Sequence, residues 1–166
     1  MSTTSPSDSD PLERLLAGAA LLGAEVDLRY RVLGFTVEPS ADVHPLGDVE
    51  DRRLQVLAHP VSTVLGSLER DVDGATHLET FEAEQLSEVT AAFAGAPLQP
   101  PVLGRPEPRR GEWGPQFSLQ GRSTAPDGRR RTLTLDVVSF DARLRLFVRC
   151  DDVEVRDPSG GEVLVP

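Results

Sequence analysis

The feature that most limits what this chain can become is a pair of alternations near its C-terminus. Leu133, Leu135 and Val137 alternate with Thr132, Thr134 and Asp136, and Leu144, Leu146 and Val148 alternate with Arg143, Arg145 and Arg149. Between them lies Ser139-Phe140-Asp141-Ala142. A period of two places successive side chains on opposite faces of a strand. If the two strands fold about that turn so that paired position numbers sum to 281, Val137 faces Leu144, Leu135 faces Leu146 and Leu133 faces Val148. Slipping the register by one residue would set each apolar side chain against the polar face, so a single pairing is specified. On the opposite face Asp136 meets Arg145 and Thr132 meets Arg149. The hairpin forces a β-rich architecture and by itself implies no chemistry.

The rest of the chain supplies further strands and two helices. Asp10-Pro11-Leu12-Glu13 is a helix start, with a capping carboxylate, a proline at the first helical position and an acid three residues after the cap. Leu12, Leu15, Leu16, Ala19 and Leu22 follow at helical spacing, and Gly23 predicts the stop. From Ala24 the period becomes two, with Val26, Leu28, Tyr30 and Val32 on one side. The phase then shifts to Leu33, Phe35 and Val37, as one strand with a bulge near Leu33-Gly34 would show. Leu54, Val56 and Ala58 mark another strand, and in 61–68 Val61, Val64, Leu65 and Leu68 fit a helix face while the β-branched Val61-Ser62-Thr63-Val64 and Gly66 favour a strand. Asp71-Val72-Asp73-Gly74 is a turn, and Leu86, Val89 and Phe93 form the stripe of a second helix over 82–93. Residues 96–115 read as a proline-rich connector without structure of its own. Strands are expected at 116–123, 131–138, 143–156 and 162–165, with Pro126-Asp127-Gly128 turning the first of them back onto the second.

Composition narrows the class. The 166 residues suffice for one domain with a core resting on Leu and Val, since there are one Trp, one Tyr and six Phe. We expect residues 1–10, rich in Ser, Thr, Asp and Pro, to be a disordered tail and 11–166 to form a single domain. No apolar run is long enough to span a bilayer, and the N-terminus lacks the basic and apolar regions of a signal peptide. One Cys excludes an internal disulfide framework, which points to the cytoplasm. All seventeen basic residues are Arg, a bias expected of a GC-rich bacterial genome. The net charge of −10 argues against a nucleic-acid binder. That charge is unevenly spread. Residues 1–100 carry 17 acids and 6 Arg, residues 105–149 carry 5 acids and 10 Arg, and residues 150–166 carry 5 acids and 1 Arg.

Three clusters offer chemistry. Arg129, Arg130 and Arg131, with Arg143, Arg145 and Arg149 along one strand face, can grip a carboxylate or phosphate through bidentate forks, or can simply keep an exposed strand soluble. Trp113, flanked by Arg109 and Arg110 in a Gly/Pro loop, suits a contact hot spot or a cover for the sheet. In the acidic loop 42–51, Asp42, His44 and Asp48 are ligand types for a metal, although the spacing matches no calcium loop and no His-Glu-x-x-His helix. His59 and His77 are candidate bases, and Ser62, Ser87, Ser118 and Cys150 candidate nucleophiles. No nucleophile elbow, phosphate loop, dinucleotide fingerprint or zinc pattern accompanies them, so no catalytic residue and no cofactor is assigned. Cys150 continues the apolar side of its strand and is expected to be a buried thiol.

The sequence therefore predicts an α+β fold, an antiparallel sheet bent into a sandwich or partly open barrel with two short covering helices. The function it fits first is a non-catalytic binding or protein-interaction module. Its partner would be a protein or small anionic ligand at the Arg hairpin and Trp113, with no nucleic acid and no membrane. The alternatives are a small metal-assisted hydrolase built on loop 42–51 and a barrel that holds a small molecule.

Overall fold

The computed structural model of the chain describes residues 10–47, 49–109, 111–113, 117–120 (backbone), 131–163 and 165. Its elements run α1 (Pro11–Leu16), β1 (Ala20–Asp27), β2 (Val32–Glu38), β3 (Leu54–Val72), β4 (Ala75–Glu79), a 3₁₀ turn (Ala83–Gln85), α2 (Leu86–Ala91), β5 (Ala96–Pro97), β6 (Phe117–Gln120), β7 (Arg131–Val138) and β8 (Ala142–Arg156). The fold is α+β, an antiparallel sheet curled into half a barrel with two short helices against it.

The sheet is built on its two longest strands. β3 and β8 pair from Gln55↔Arg156 to Arg70↔Ala142, with a register break between Val61 and Thr63. β7 lies on the far side of β8, with Val137↔Leu144, Leu135↔Leu146 and Leu133↔Val148, the pairing that the alternation demands. Along the other edge of β3, three strands follow in series. β2 pairs with Leu54–Ala58, β6 with Thr63–Gly66 and β4 with Leu68–Val72. β1 pairs with β2, and Ala96–Pro97 of β5 pairs with Ala20–Leu21. The inner face gathers Leu33, Phe35, Leu54, Val56, Leu133, Leu135, Leu144, Leu146 and Val148, all at 0–1 % exposure. Leu16, Leu86 and Leu98 join the same cluster.

Four expectations need correction. First, α1 stops at Leu16, because Ala17 is extended and Gly18 takes φ +77°, and Ala20 onward enters the sheet. Burying Leu21 in the ladder outweighs two more turns of an isolated helix. Second, the phase shift in 24–38 is a chain reversal and not a bulge. Asp27 accepts the N–H groups of Arg29 and Tyr30, Arg31 takes φ +55°, and β1 and β2 form a hairpin that leaves Leu28 and Tyr30 in solvent. Third, β6 pairs with Thr63–Gly66 of β3, not with β7. Fourth, the connector 96–115 has structure. Leu98 N–H donates to Ala19 and Gly18 N–H to Leu98, then Gln99 N–H donates to Asp136, Thr134 N–H to Val102 and Gly104 N–H to Thr132. Residues 95–104 thus span the open side of the half-barrel from β1 to β7.

Of the two forms open to 61–68 the structure has the strand, continuous with 54–58 in β3, and the second helix forms as a 3₁₀ turn followed by α2. The C-terminal strand is reduced to a bridge between Glu162 and Arg156 and a bond from Val163 N–H to Val155. The tail before Asp10, the turn at 126–128, Arg129, Arg130 and Asp48 lie outside the described residues.

Candidate functional site

The Arg-bearing face of β8 is occupied by the protein itself. Arg143 makes a fork to Asp136, Nε to Oδ1 at 3.0 Å and Nη2 to Oδ2 at 2.8 Å. Asp136 is 2 % exposed and also lies 3.4 Å from Arg105. Cross-strand register sets Asp136 opposite Arg145, yet Arg145 turns the other way, to Glu69 at 2.7 Å. Arg149 reaches Glu107 at 3.0 Å. Each arginine of the stripe has an internal carboxylate partner, and the hydrogen bond to Asp136 holds the Arg143 guanidinium pKa above its ordinary value. Of the three consecutive arginines near the turn, Arg131 is described, exposed at the start of β7.

Trp113 completes that cover. Its ring is 7 % exposed and packs with Leu65 and Phe147, an outer cluster separate from the main core. The Arg145 guanidinium sits 4.9 Å from the ring centroid, within cation–π reach, and the Trp113 carbonyl accepts from the Ser67 hydroxyl at 3.1 Å. Residues 105–109 and 111–113 are therefore a strap over the outer face of β3, β7 and β8. It is fastened by Arg105–Asp136, Glu107–Arg149 and the Trp113 contacts. Of the two roles open to Trp113 from sequence, the structure gives it the covering one.

In loop 42–51, His44 is buried, and both its ring nitrogens bond to backbone. Leu46 N–H donates to Nδ1 at 3.1 Å, so Nε2 carries the proton and donates to the Arg52 carbonyl at 3.0 Å. The imidazole pins the loop and presents no lone pair outward. Asp42 is exposed, its carboxyl held below the usual range by a hydrogen bond from Ser40. Among the described residues, no three His, Cys, Asp or Glu side chains come close enough to share a metal ion.

The other candidates are separated. Cys150 is fully buried, and desolvation pushes its thiol up to about 12. His59 stands 3.4 Å from Glu154, His77 lies on exposed β4, and Ser62 donates to the Arg149 carbonyl. Among the described residues no Ser or Cys is bonded to a histidine.

Sequence reasoning passed over the opposite part of the sheet. Among the described residues no strap crosses the outer face of β1, β2 and the first half of β3, which forms a groove of about 670 Å³. Gly34 and Leu57, paired across β2 and β3, make its floor, and a Cβ at Gly34 would meet Leu57 Cδ2 at 3.3 Å. Glu25 pairs with Gly34 and Asp27 with Val32, so both carboxylates rise from the same face as Leu57. Leu28 and Tyr30, 48 % and 64 % exposed, stand at the hairpin end. The available sequence signal was Asp27, a residue that starts turns by bonding backbone two and three positions on, inside an otherwise regular alternation.

Comparison with protein-family models, with curated proteins and with solved structures found no match to this chain. Among the described residues no helix is long and apolar enough to cross a membrane.

Proposed function

We propose that this chain is a non-catalytic cytoplasmic binding module, and that its working surface is the bare outer face of β1 and β2. The observation that carries this is the unequal treatment of the sheet's outer side. Over β7 and β8 the strap buries Trp113, and carboxylates match the arginines of β8. Over β1 and β2 a groove with two large exposed apolar side chains is left open. Its volume falls within the roughly 300–1,000 Å³ of ligand clefts, and its lining mixes apolar side chains and an exposed tyrosine with Glu25, Asp27 and Gln55. The Arg hairpin is the second surface, with Arg131 its most accessible described member. The metal-assisted reading has less support, because His44 spends both ring nitrogens on the backbone.

The test uses the immobilised full chain and compares capture by the wild type, by Leu28→Ser with Tyr30→Ala, and by Arg131→Glu with Arg149→Ala, after melting curves verify folding. Partners lost in the first variant and retained in the second are expected. Loss only in the second would return the interaction surface to the Arg hairpin.

A further inference from the structure

We infer that this groove takes an extended, basic segment of a partner protein, with an apolar side chain on Leu57 and Val32 and a cationic group between Glu25, Asp27 and the ring of Tyr30. The inference rests on the reading of that face as the binding surface and adds the chemistry of what it binds.

The charge pattern is the first ground. Five carboxylates of the strands and strap meet arginines, Asp136 with Arg143, Glu69 with Arg145, Glu107 with Arg149, Glu79 with Arg70 and Glu154 with Arg156, whereas Asp71 and Asp152 bond only to a hydroxyl and a backbone N–H. Glu25 and Asp27 have no such partner among the described residues. Two positions apart on one strand face, their Cα atoms are separated by about 7 Å. Asp27 uses Oδ1 to accept from Arg29 and Tyr30 N–H, so Oδ2 remains open to an incoming donor. Two unmatched carboxylates on a partly apolar wall favour a cation and repel an acidic peptide or a phosphate backbone.

The aromatic ring is the second ground. The Arg29 guanidinium lies 5.4 Å from the Tyr30 centroid, which shows that the ring already receives a guanidinium on one side. Its large exposure leaves area for another.

The end of β1 beyond Ala24, with which no strand pairs on its outer side among the described residues, is the third, and it argues for an extended chain. The Thr90 hydroxyl accepts the Ala24 N–H at 3.0 Å and lies 3.2 Å from the Ala24 carbonyl, its proton being nearest the Leu86 carbonyl, so both Ala24 groups point away from β2. In an antiparallel ladder the same orientation recurs two residues on. The N–H and carbonyl of Val26, which lines the groove, therefore also point outward. α2 lies along this edge at Ala24 and the 3₁₀ turn also packs against β1, and among the described residues no strand pairs with Val26 on that side. A partner strand can bond there while its side chains reach the groove, the manner of β-strand addition.

The experiment is a library of ten-residue peptides in which two positions are fixed as Arg, Gln or Glu and the rest vary over apolar and β-branched residues. The full chain serves as bait, and amide shift mapping locates the bound pool. The Arg pool should be enriched about tenfold or more over the Gln pool, a difference of roughly 1.4 kcal/mol. Its shifts should fall on residues 25–34 and 55–57, and binding should weaken as salt shortens the Debye length. Glu25→Gln with Asp27→Asn should abolish the preference while keeping the turn, since Asn still accepts the Arg29 and Tyr30 N–H groups. Glu25→Arg with Asp27→Arg should transfer the preference to the Glu pool. Equal enrichment of all pools at the groove overturns the basic-partner inference and leaves the surface reading standing. Enrichment mapped to another face, or no enrichment at all, overturns both. Self-association of the chain that Tyr30→Ala dissolves would show a second copy as the occupant and overturn the inference too.

Discussion

Glu13 shows how one side chain can close a sheet. It sits in the first turn of α1, where an acid is ordinarily explained by the helix dipole. Here its carboxylate accepts Val102 N–H at 2.8 and 2.9 Å and Leu103 N–H at 2.7 Å, two groups of the segment that spans the half-barrel. Glu13→Ala leaves those donors without an acceptor and should cost roughly 2–3 kcal/mol, read by urea denaturation. A change under about 0.5 kcal/mol would mean that water substitutes for the carboxylate. Cys150 makes the second prediction at this scale. Burial raises its folded pKa from 9.0 to about 12, so above pH 9 the unfolded chain binds fewer protons than the folded one. Its contribution is complete below pH 9 and is lost as pH rises toward 12, at up to about 1.4 kcal/mol per pH unit. Cys150→Ala should flatten the alkaline limb of a stability–pH curve, and a limb of unchanged slope would assign the alkaline loss to other groups.

At the scale of elements, the strap is the part whose removal is easiest to read. Trp113 shields Leu65 and Phe147 and lies beneath Arg145. Trp113→Ala should destabilise by about 3–5 kcal/mol in equilibrium unfolding, the range for large aromatics lost from packed sites. A double-mutant cycle with Arg145→Ala should return a coupling of about 0.5–1 kcal/mol. Absence of coupling would reduce the ring's role to coverage alone. What the sequence could disclose of these elements depended on whether two readings differed in parity. The β7–β8 register was legible because only one phase buries Leu133, Leu135 and Val137 with their partners. The β1–β2 turn was hidden because Val26, Leu28, Tyr30 and Val32 keep the alternation straight through it. For β6, the alternation of Phe117 and Leu119 suits a pairing with β7 or with β3 alike, so periodicity could not choose the neighbour. The spanning segment escaped because Pro97, Pro100 and Pro101 look incompatible with a strand. The segment works because its non-proline N–H groups alone are needed: Leu98 and Gln99 donate to β1 and β7, and Val102 and Leu103 donate to Glu13.

For the whole molecule, the uneven charge along the sequence is partly cancelled by folding. Arg145 of the basic stretch finds Glu69 of the acidic one, while Arg143 and Arg149 find acids within their own stretch. The sequence therefore disclosed which groups carry charge but not which would be left over, because leftover charge depends on three-dimensional neighbours. That is why the Arg stripe was legible and the Glu25–Asp27 wall was not. The same neighbours set how stability is distributed. Every residue of β4 is exposed, and its hairpin with the end of β3 projects from the body held by α2 and the barrel interior. Protection from hydrogen exchange tracks the free energy of the opening that exposes each amide. The His77 and Glu79 amides, which face β3 because Asp71 N–H turns to Asp141, should therefore exchange through a low-energy opening. If residues 95–104 unite the edges of β1 and β7 into one cooperative unit, the Leu98 and Gln99 amides, each bonded at 2.9 Å, should exchange only with global unfolding, alongside Val56 and Leu146. Native-state exchange against low urea separates the cases. Leu98 and Gln99 opening well below the global limit would mean that the half-barrel persists without its span. The closure by Glu13 would then be a local fastening and not a condition of the fold.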